Sequence, residues 1–370
     1  MKPMRQNPWP DLPRAQYPAP SGVLIIDKPA GVTSHDVVAA LRRLCATRKV
    51  GHAGTLDPMA TGVLVVGIGA GTRLLTYLSG ADKDYRATFT LGIGSDTEDC
   101  TGTVTSAPGF SGTTAQLDAA LSSLQGDISQ VPSAYSAKKI AGKRAYDLAR
   151  AGQEVVLDAV PVHIARLERS GELRWRHVET DNVVVPDGAA LGDGAHQVEA
   201  EEAPLSVADV DVEVSCSSGT YVRALARDTG IALGCAALMS SLRRTRVGGF
   251  SQDEAVSIAE LAQLVENGAQ LPVIPLAQVA ARALPTAQID PSEAESVRHG
   301  QFLKVRGREV TSAGVMAPED GLARGMAQAD TPGVGSEAGT VALLRDDDLV
   351  AVVHRHGDTF RPATVFPLGV

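Results

Sequence analysis

Short apolar runs and alternations, rather than long helical stripes, organise this chain of 370 residues. Val23–Ile26 and Val63–Ile68 are continuous apolar runs and predict short buried strands. Tyr85–Leu91 alternates and predicts a strand with one face in the core. Val207–Cys216 sets Val210, Val212 and Val214 against Asp209, Asp211 and Glu213. That pattern predicts a half-buried strand whose acids form a solvated face rather than a metal site. Helical spacing begins at Ser34, the expected cap, with Val37, Val38, Leu41 and Leu44 on one face. Further helices are expected over Thr72–Leu78, Leu117–Leu124, Arg144–Arg150 and Tyr221–Leu233, the last ended by Gly234. Strands and helices without regular βαβ alternation predict an α+β fold.

The pattern changes at three places. The first twenty residues carry Pro3, Pro8, Pro10, Pro13, Pro18 and Pro20, a spacing that no helix or central strand survives. Residues 1–21 therefore read as a flexible tail. Residues 169–206 hold eight acids against three arginines and show no periodicity. They read as an acidic surface insertion. Residues 284–370 read as a small β-rich domain, with strands at Val341–Leu344 and Leu349–Val353 and a mobile loop at 311–340. The principal domain is then 22–270, interrupted by the insertion.

Charge sharpens this division. The net charge is −9, yet residues 22–168 balance to zero. Basic clusters remain at Arg42, Arg43, Arg48 and Lys49; at Lys138, Lys139, Lys143 and Arg144; and at Arg243, Arg244 and Arg246. Local patches, not total charge, neutralise phosphates, so each cluster reads either as a solvated helix face or as a phosphate contact. The four cysteines, Cys45, Cys100, Cys216 and Cys235, are far apart and form no CxxC pair. They fit reduced thiols in a cytoplasmic protein. No apolar run approaches membrane-spanning length, and the N-terminus lacks a secretory core.

Metal and nucleotide motifs are weak. There is no HExxH, and His354 and His356 read as a solvated pair. Gly67-Ile68-Gly69-Ala70-Gly71 lies between a strand and a helix, as a phosphate loop does. It lacks the third glycine of a dinucleotide fingerprint and the lysine of a P-loop.

The densest chemistry lies in Gly51-His52-Ala53-Gly54-Thr55-Leu56-Asp57-Pro58-Met59-Ala60-Thr61-Gly62-Val63-Leu64. Small residues surround one carboxylate, and Pro58 holds Asp57 in extended conformations. Asp-Pro alone most often caps a turn. The whole loop, however, resembles the catalytic loop of the bacterial tRNA pseudouridine-55 synthases, the TruB family. So do Gly22–Gly31 with Thr33-Ser34, Asp82-Lys83-Asp84-Tyr85-Arg86, and Asp96-Thr97-Glu98-Asp99-Cys100-Thr101-Gly102. Val131–Lys139, Gly142–Tyr146, Cys216–Arg223 and Leu242-Arg243-Arg244 continue the set in family order over residues 22–260. The resemblance is absent from about 169 to 206 and loose after about 270.

The resemblance implies the pseudouridine synthase fold, a mixed sheet with flanking helices and loops. It also implies a small C-terminal PUA-like domain that contacts RNA. The implied reaction converts uridine to pseudouridine at position 55 in the T arm of tRNA after the base is flipped out. Asp57 is the implied nucleophile. Tyr85 stacks on the flipped base and serves late proton transfer. Arg223 pairs with Asp57, Asp99 holds Arg223, and Lys28 supports the site. His52, Tyr221 and Leu242 are further substrate contacts. No cofactor, metal, membrane or guide RNA is expected, and the protein is expected to act as a monomer on tRNA. Attack at C6 of the base and a glycal route both remain open. Two other readings are a catalytically silent RNA-binding or tRNA-folding protein and a guide-RNA-dependent synthase of related fold.

Overall fold

The computed structural model describes residues 7–133, 139–140, 143–144, 157–178, 205–304, 309–312 and 339–367. It divides into two compact units, one made of Met1–Ala81 with Thr245–Val370 and the other of Asp82–Arg244.

The first unit opens with β1 (Gly22–Lys28), α1 (Ser34–Leu44), β2 (Val50–Ala53), β3 (Thr61–Ile68) and α2 (Leu75–Ser79). β3 runs antiparallel to β1, from Gly22↔Ile68 to Lys28↔Gly62, and also pairs with β2. Val63, Leu64, Val65, Val66 and Ile68 are all fully buried. This is why β3 reads as a continuous apolar run rather than an alternation. The helix expected over Thr72–Leu78 is instead a 3₁₀ turn, Gly69–Arg73, followed by the short α2. The glycines cause the break. A Cβ on Gly71 would lie 1.9 Å from the Gly22 carbonyl oxygen, so only glycine fits there. The nearby amides are engaged: Gly69 donates to the Lys49 carbonyl at 2.8 Å and Ala70 to the Ser21 hydroxyl at 3.0 Å. The glycines serve chain packing rather than a phosphate.

The described part of the proline-rich segment, from residue 7, has no helix or strand, but it is not a free tail. Leu12 is buried, the Arg43 guanidinium donates to the Leu12 carbonyl, and Ala19 donates to the Cys45 carbonyl at 3.0 Å. Proline forbids regular structure without forbidding contacts.

The second unit contains β4 (Lys83–Leu91), β5 (Gly94–Ser95), β6 (Val104–Ser106), α3 (Thr114–Ser123), β7 (Gly126–Gln130), β8 (Lys139–Ile140) and β9 (Lys143–Arg144). β10 (Val160–Arg169), β11 (Arg174–Val178), β12 (Leu205–Cys216) and α4 (Val222–Ala232) follow, then β13 (Ala237–Val247), whose last residues belong to the first unit. Neighbouring strands run β13-β4-β12-β10-β7, with β11 also on β12. β11 lies inside the stretch expected to be a loop. It is a real strand with Arg176↔Val207 at its centre, but nearly every residue on it is exposed, so no apolar alternation betrays it. Residues 179–204, and residues 145–150 of the helix expected at Arg144–Arg150, lie outside the described residues.

The acids of β12 are not merely solvated. Asp209 accepts from the Thr90 hydroxyl at 2.6 Å and Arg176 at 3.0 Å. Asp211 accepts from the Thr88 hydroxyl at 2.7 Å and Arg174 at 2.6 Å. Glu213 pairs with Arg166 at 2.6 Å and Arg86 at 3.7 Å. Each acid therefore links two neighbouring strands across one sheet face.

The chain then returns to the first unit through β14 (Phe250–Ser251), α5 (Ile258–Glu266), β15 (Ile274–Pro275) and α6 (Leu276–Ala283). The last elements are β16 (Thr286–Gln288), α7 (Pro291–Arg298), β17 (Leu303–Lys304), β18 (Thr340–Arg345), β19 (Asp348–His356) and β20 (Thr359–Val365). They form a five-stranded sheet ordered β16-β18-β19-β20-β17. The two strands expected in this β-rich segment are β18 and β19. Most of the loop expected at 311–340 lies outside the described residues. Val23, Ile25, Val63 and Val65 share one apolar cluster with Ala342, Leu344, Val352 and Phe366. The fold is α+β, as the sequence predicts.

Candidate active site

Asp57 is half-buried, and the residues on both sides of it are fixed by bonds from elsewhere in the first unit. The expected cap of α1 is displaced by one residue. Thr33 caps the helix: its hydroxyl accepts from the Asp36 amide at 3.2 Å, and the Asp36 carboxylate accepts from the Thr33 amide at 2.8 Å. This reciprocal cap leaves Ser34 free for another role. Its buried hydroxyl accepts from the Leu56 amide at 3.0 Å and donates to the Leu56 carbonyl at 3.3 Å.

Pro58, on the other side, is held through its carbonyl. The Gly31 amide donates to it at 2.8 Å and the Lys28 ammonium at 3.3 Å. Lys28 is fully buried and also donates to the carbonyls of Val32 at 2.8 Å and Pro29 at 2.9 Å. A buried ammonium survives only with such partners. The Ala60 amide closes the turn onto the Asp57 carbonyl at 3.1 Å. Gly54 and Gly62, at φ +83° and +96°, take up the left-handed backbone the loop needs. His52 lies on β2 opposite Val66, and its ring meets that of His35 edge-on at 5.5 Å.

The remaining candidates lie in the second unit. Tyr85 is 8% exposed on β4, opposite Val214. Tyr221 sits at the start of α4 and is pinned by Gln130, whose amide side chain bonds both the Tyr221 N–H at 2.8 Å and its carbonyl at 3.1 Å. Leu242 is 8% exposed on β13. Arg223 is 6% exposed, with its Nη1 donating to the Thr97 carbonyl at 2.9 Å and the Ser133 hydroxyl at 3.3 Å. The same nitrogen lies 3.7 Å from the Asp99 carboxylate. Asp99 accepts from the Thr97 hydroxyl at 2.8 Å, the Thr101 hydroxyl at 2.6 Å and the Thr101 amide at 2.9 Å. One unit thus gathers Lys28, His52 and Asp57; the other gathers Tyr85, Asp99, Tyr221, Arg223 and Leu242.

Sequence reasoning missed Ser34, Gln130, Thr97 and Ser133 as supports. Ser34, Thr97 and Ser133 lie within the resembling segments, but their partners are backbone groups or distant residues, so nothing local marks their supporting role. It also placed Arg244 in a phosphate-facing cluster, whereas that side chain is only 1% exposed. Arg42, Arg43, Arg48 and Lys49 are exposed, as phosphate contact requires. Lys138 lies outside the described residues. Burial pushes the Cys45 and Cys216 thiols up to about 12, which leaves both protonated and poor competitors for a nucleophile's role. Among the described residues, no group of three His, Cys, Asp or Glu side chains is placed to hold a metal.

Comparison with known proteins brings the same segments together. Residues 42–183 match the model of the TruB family pseudouridylate synthase N-terminal domain. Residues 223–277 match that of the tRNA pseudouridylate synthase B C-terminal domain. The chain is 41% identical over 347 residues to tRNA pseudouridine synthase B of Arthrobacter sp. (strain FB24), spanning 94% of this chain and 96% of that one. It is 43% identical over 330 residues to the enzyme of that name from Mycobacteroides abscessus, spanning 89% and 98%. Among solved structures it resembles a chain of an H/ACA ribonucleoprotein bound to a substrate RNA containing 2′-deoxyuridine. That likeness has a TM-score of 0.60 at 24% identity, spans 94% of this chain and 85% of the other, and concerns the fold alone.

Proposed function

This chain belongs to the TruB family of pseudouridylate synthases, and we propose that it isomerises uridine to pseudouridine at position 55 in the T arm of tRNA. The observation that carries this reading is the fixing of Leu56 and Pro58 on either side of the half-buried Asp57. A nucleophile held by its neighbours' backbones meets its target without reorganising first.

Asp57 is the nucleophile in this reading. The reaction breaks the N1–C1′ bond and re-forms the link at C5 of the same base. It is an isomerisation, so it needs neither redox cofactor nor energy input, only a group that adds and later leaves. A carboxylate serves for attack at C6 or for assisting a glycal route. The target base must leave its stack, at a cost of a few kcal/mol that stacking and edge contacts offset. Tyr85 is read as the stacking partner and late proton carrier, with His52, Tyr221 and Leu242 as further contacts. Arg223 is read as the guanidinium that acts with Asp57 in the reaction. What supports this is its donation to the Thr97 carbonyl and the Ser133 hydroxyl and its ion pair with Asp99, which together hold it in place.

Exposed Arg42, Arg43, Arg48 and Lys49 are read as phosphate contacts. The small C-terminal domain is read as a second RNA contact, in the manner of a PUA-like module. Phe302 there is 60% exposed under the Arg361 guanidinium, and His354 lies opposite Arg361 on the neighbouring strand. Aromatic and basic groups in this arrangement suit stacking on bases and contact with phosphates. No helix among the described residues is long and apolar enough to cross a membrane. We read the enzyme as a cytoplasmic monomer that works without a guide RNA. Incubation of the purified chain alone with an unmodified tRNA transcript tests this. Pseudouridine confined to position 55 is expected, and a requirement for a guide RNA or protein partner overturns the reading.

A further inference from the structure

We propose that Glu98 and Arg227 are positioning residues for Arg223, an inference that rests on the catalytic reading of Arg223 above. Arg223 and Arg227 are four residues apart on α4 and so share one helix face. Arg223 is aimed by two walls. One is the acidic turn, through the Thr97 carbonyl and the Asp99 carboxylate; the other is the Val131–Ser133 segment, through the Ser133 hydroxyl. Arg227 grips the same two walls one helical turn further on. Its Nη1 donates to Glu98 at 2.6 Å, and its Nη2 donates to the Val131 carbonyl at 2.9 Å. Its Nε is taken by Asp228 at 2.8 Å, so the whole guanidinium fork is used.

Glu98 is held hard in return. Its backbone is left-handed at φ +62°, a conformation that a residue with a Cβ keeps only when its surroundings impose it. Two backbone bonds to Met239 impose it, from the Met239 amide to the Glu98 carbonyl at 3.0 Å and from the Cys100 amide to the Met239 carbonyl at 3.1 Å. The Glu98 and Arg227 side chains are only 14% and 26% exposed, so solvent screens the pair weakly. Without Arg227, the turn and the segment lose one of the ties between them, and Ser133 is held less firmly relative to Thr97 and Asp99, the other groups that meet Arg223. A merely stabilising ion pair has no such consequence for rate.

The test is a double-mutant cycle in single-turnover rate on unmodified tRNA transcript, well below the melting temperature of every variant. Arg227→Met is expected to slow the reaction about tenfold or more, since a misplacement of about 1 Å costs up to about a hundredfold. Affinity for tRNA should stay within about threefold, which is under 1 kcal/mol. Arg227→Lys and Glu98→Gln, which disturb packing least, should fall between wild type and Arg227→Met. On an Arg223→Met background, Arg227→Met should cost less than about threefold more, because residues acting as a unit are not additive. Near-normal rates for Arg227→Met and Glu98→Gln, or losses that multiply fully with Arg223→Met, overturn the proposal. If Arg223→Met itself is fully active, the catalytic reading of Arg223 falls and the positioning role falls with it. An inactive Arg223→Met beside a fully active Arg227→Met refutes the positioning role alone.

Discussion

The Ser34 hydroxyl closes on both backbone groups of Leu56, accepting from its amide at 3.0 Å and donating to its carbonyl at 3.3 Å. One side chain thus fixes the peptide immediately before Asp57. Ser34→Ala removes both bonds and leaves a buried amide to find another partner. A loss of about 1–3 kcal/mol in stability is expected, together with a slower single-turnover rate and little change in tRNA affinity. Thr33→Ala is the control. It strips the cap of α1 at a cost of about 1 kcal/mol and should change the rate far less. Equal effects of the two substitutions on rate would mean that Ser34 only supports the helix.

Lys28 braces the other side of Asp57 from a fully buried position. Lys28→Met keeps the apolar stem and removes the ammonium shared by the Pro29, Val32 and Pro58 carbonyls. Bonds to a charged donor are worth about 1.5–3 kcal/mol each at most, so a destabilisation of about 3 kcal/mol is expected for the set. Chemical denaturation measures it. A shift below about 1 kcal/mol would show that the loop holds itself.

The glycines after β3 offer a steric test of their own. Gly71→Ala puts a Cβ 1.9 Å from the Gly22 carbonyl oxygen and should prevent normal folding. Gly80→Ala meets nothing within 4 Å, and its backbone φ of −79° suits any residue. It should be neutral or stabilise by under about 1 kcal/mol. Thermal melting of the two variants separates packing from mere loop flexibility.

What the sequence made legible follows from these contacts. Val63–Ile68 and the strands at 341–344 and 349–353 were readable because burial on both faces leaves continuous β-branched and apolar runs. Thr33 and Ser34 were not separable, because adjacent hydroxyls have similar capping propensity and only the distant Leu56 tells them apart. β11 was hidden because an exposed strand bonded through its backbone leaves no apolar pattern. Arg244 was misplaced because charge in a sequence carries no record of burial. The acids of β12 were visible as a face, but their arginine and threonine partners come from strands far away in the chain. Asp57 stood out through its loop, whereas the bonds that fix Leu56 and Pro58 come from residues 28–34.

Two carboxylates should give opposite signatures in a pH series of melting temperatures. The hydrogen bond from Arg174 holds Asp211 below its ordinary pKa, aided by Thr88, despite some burial. Its stabilising contribution is present above the ordinary carboxylate value and fades as pH falls through the lowered one. The side chain is 44% exposed, so the effect should be less than about 1 kcal/mol. Burial raises the pKa of Glu98 although Arg227, Arg223 and Ser133 pull it down. The folded chain then holds that proton more tightly than the unfolded one, and stability drops as pH rises from the ordinary value through the raised one. Asp211→Asn should remove the first slope and Glu98→Gln the second. Identical slopes in the two variants would contradict the assignment.

Asp57 is the attacking group in the proposed reaction. Its most direct test is single-turnover reaction of Asp57→Asn with an unmodified tRNA transcript, with the protein checked for deamidation. The amide is nearly the same shape but a poor nucleophile. Pseudouridine should be undetectable, while tRNA binding stays within about tenfold, or roughly 1.4 kcal/mol. Clear pseudouridine formation by the Asp57→Asn protein would contradict the claim and move the chemistry to another group.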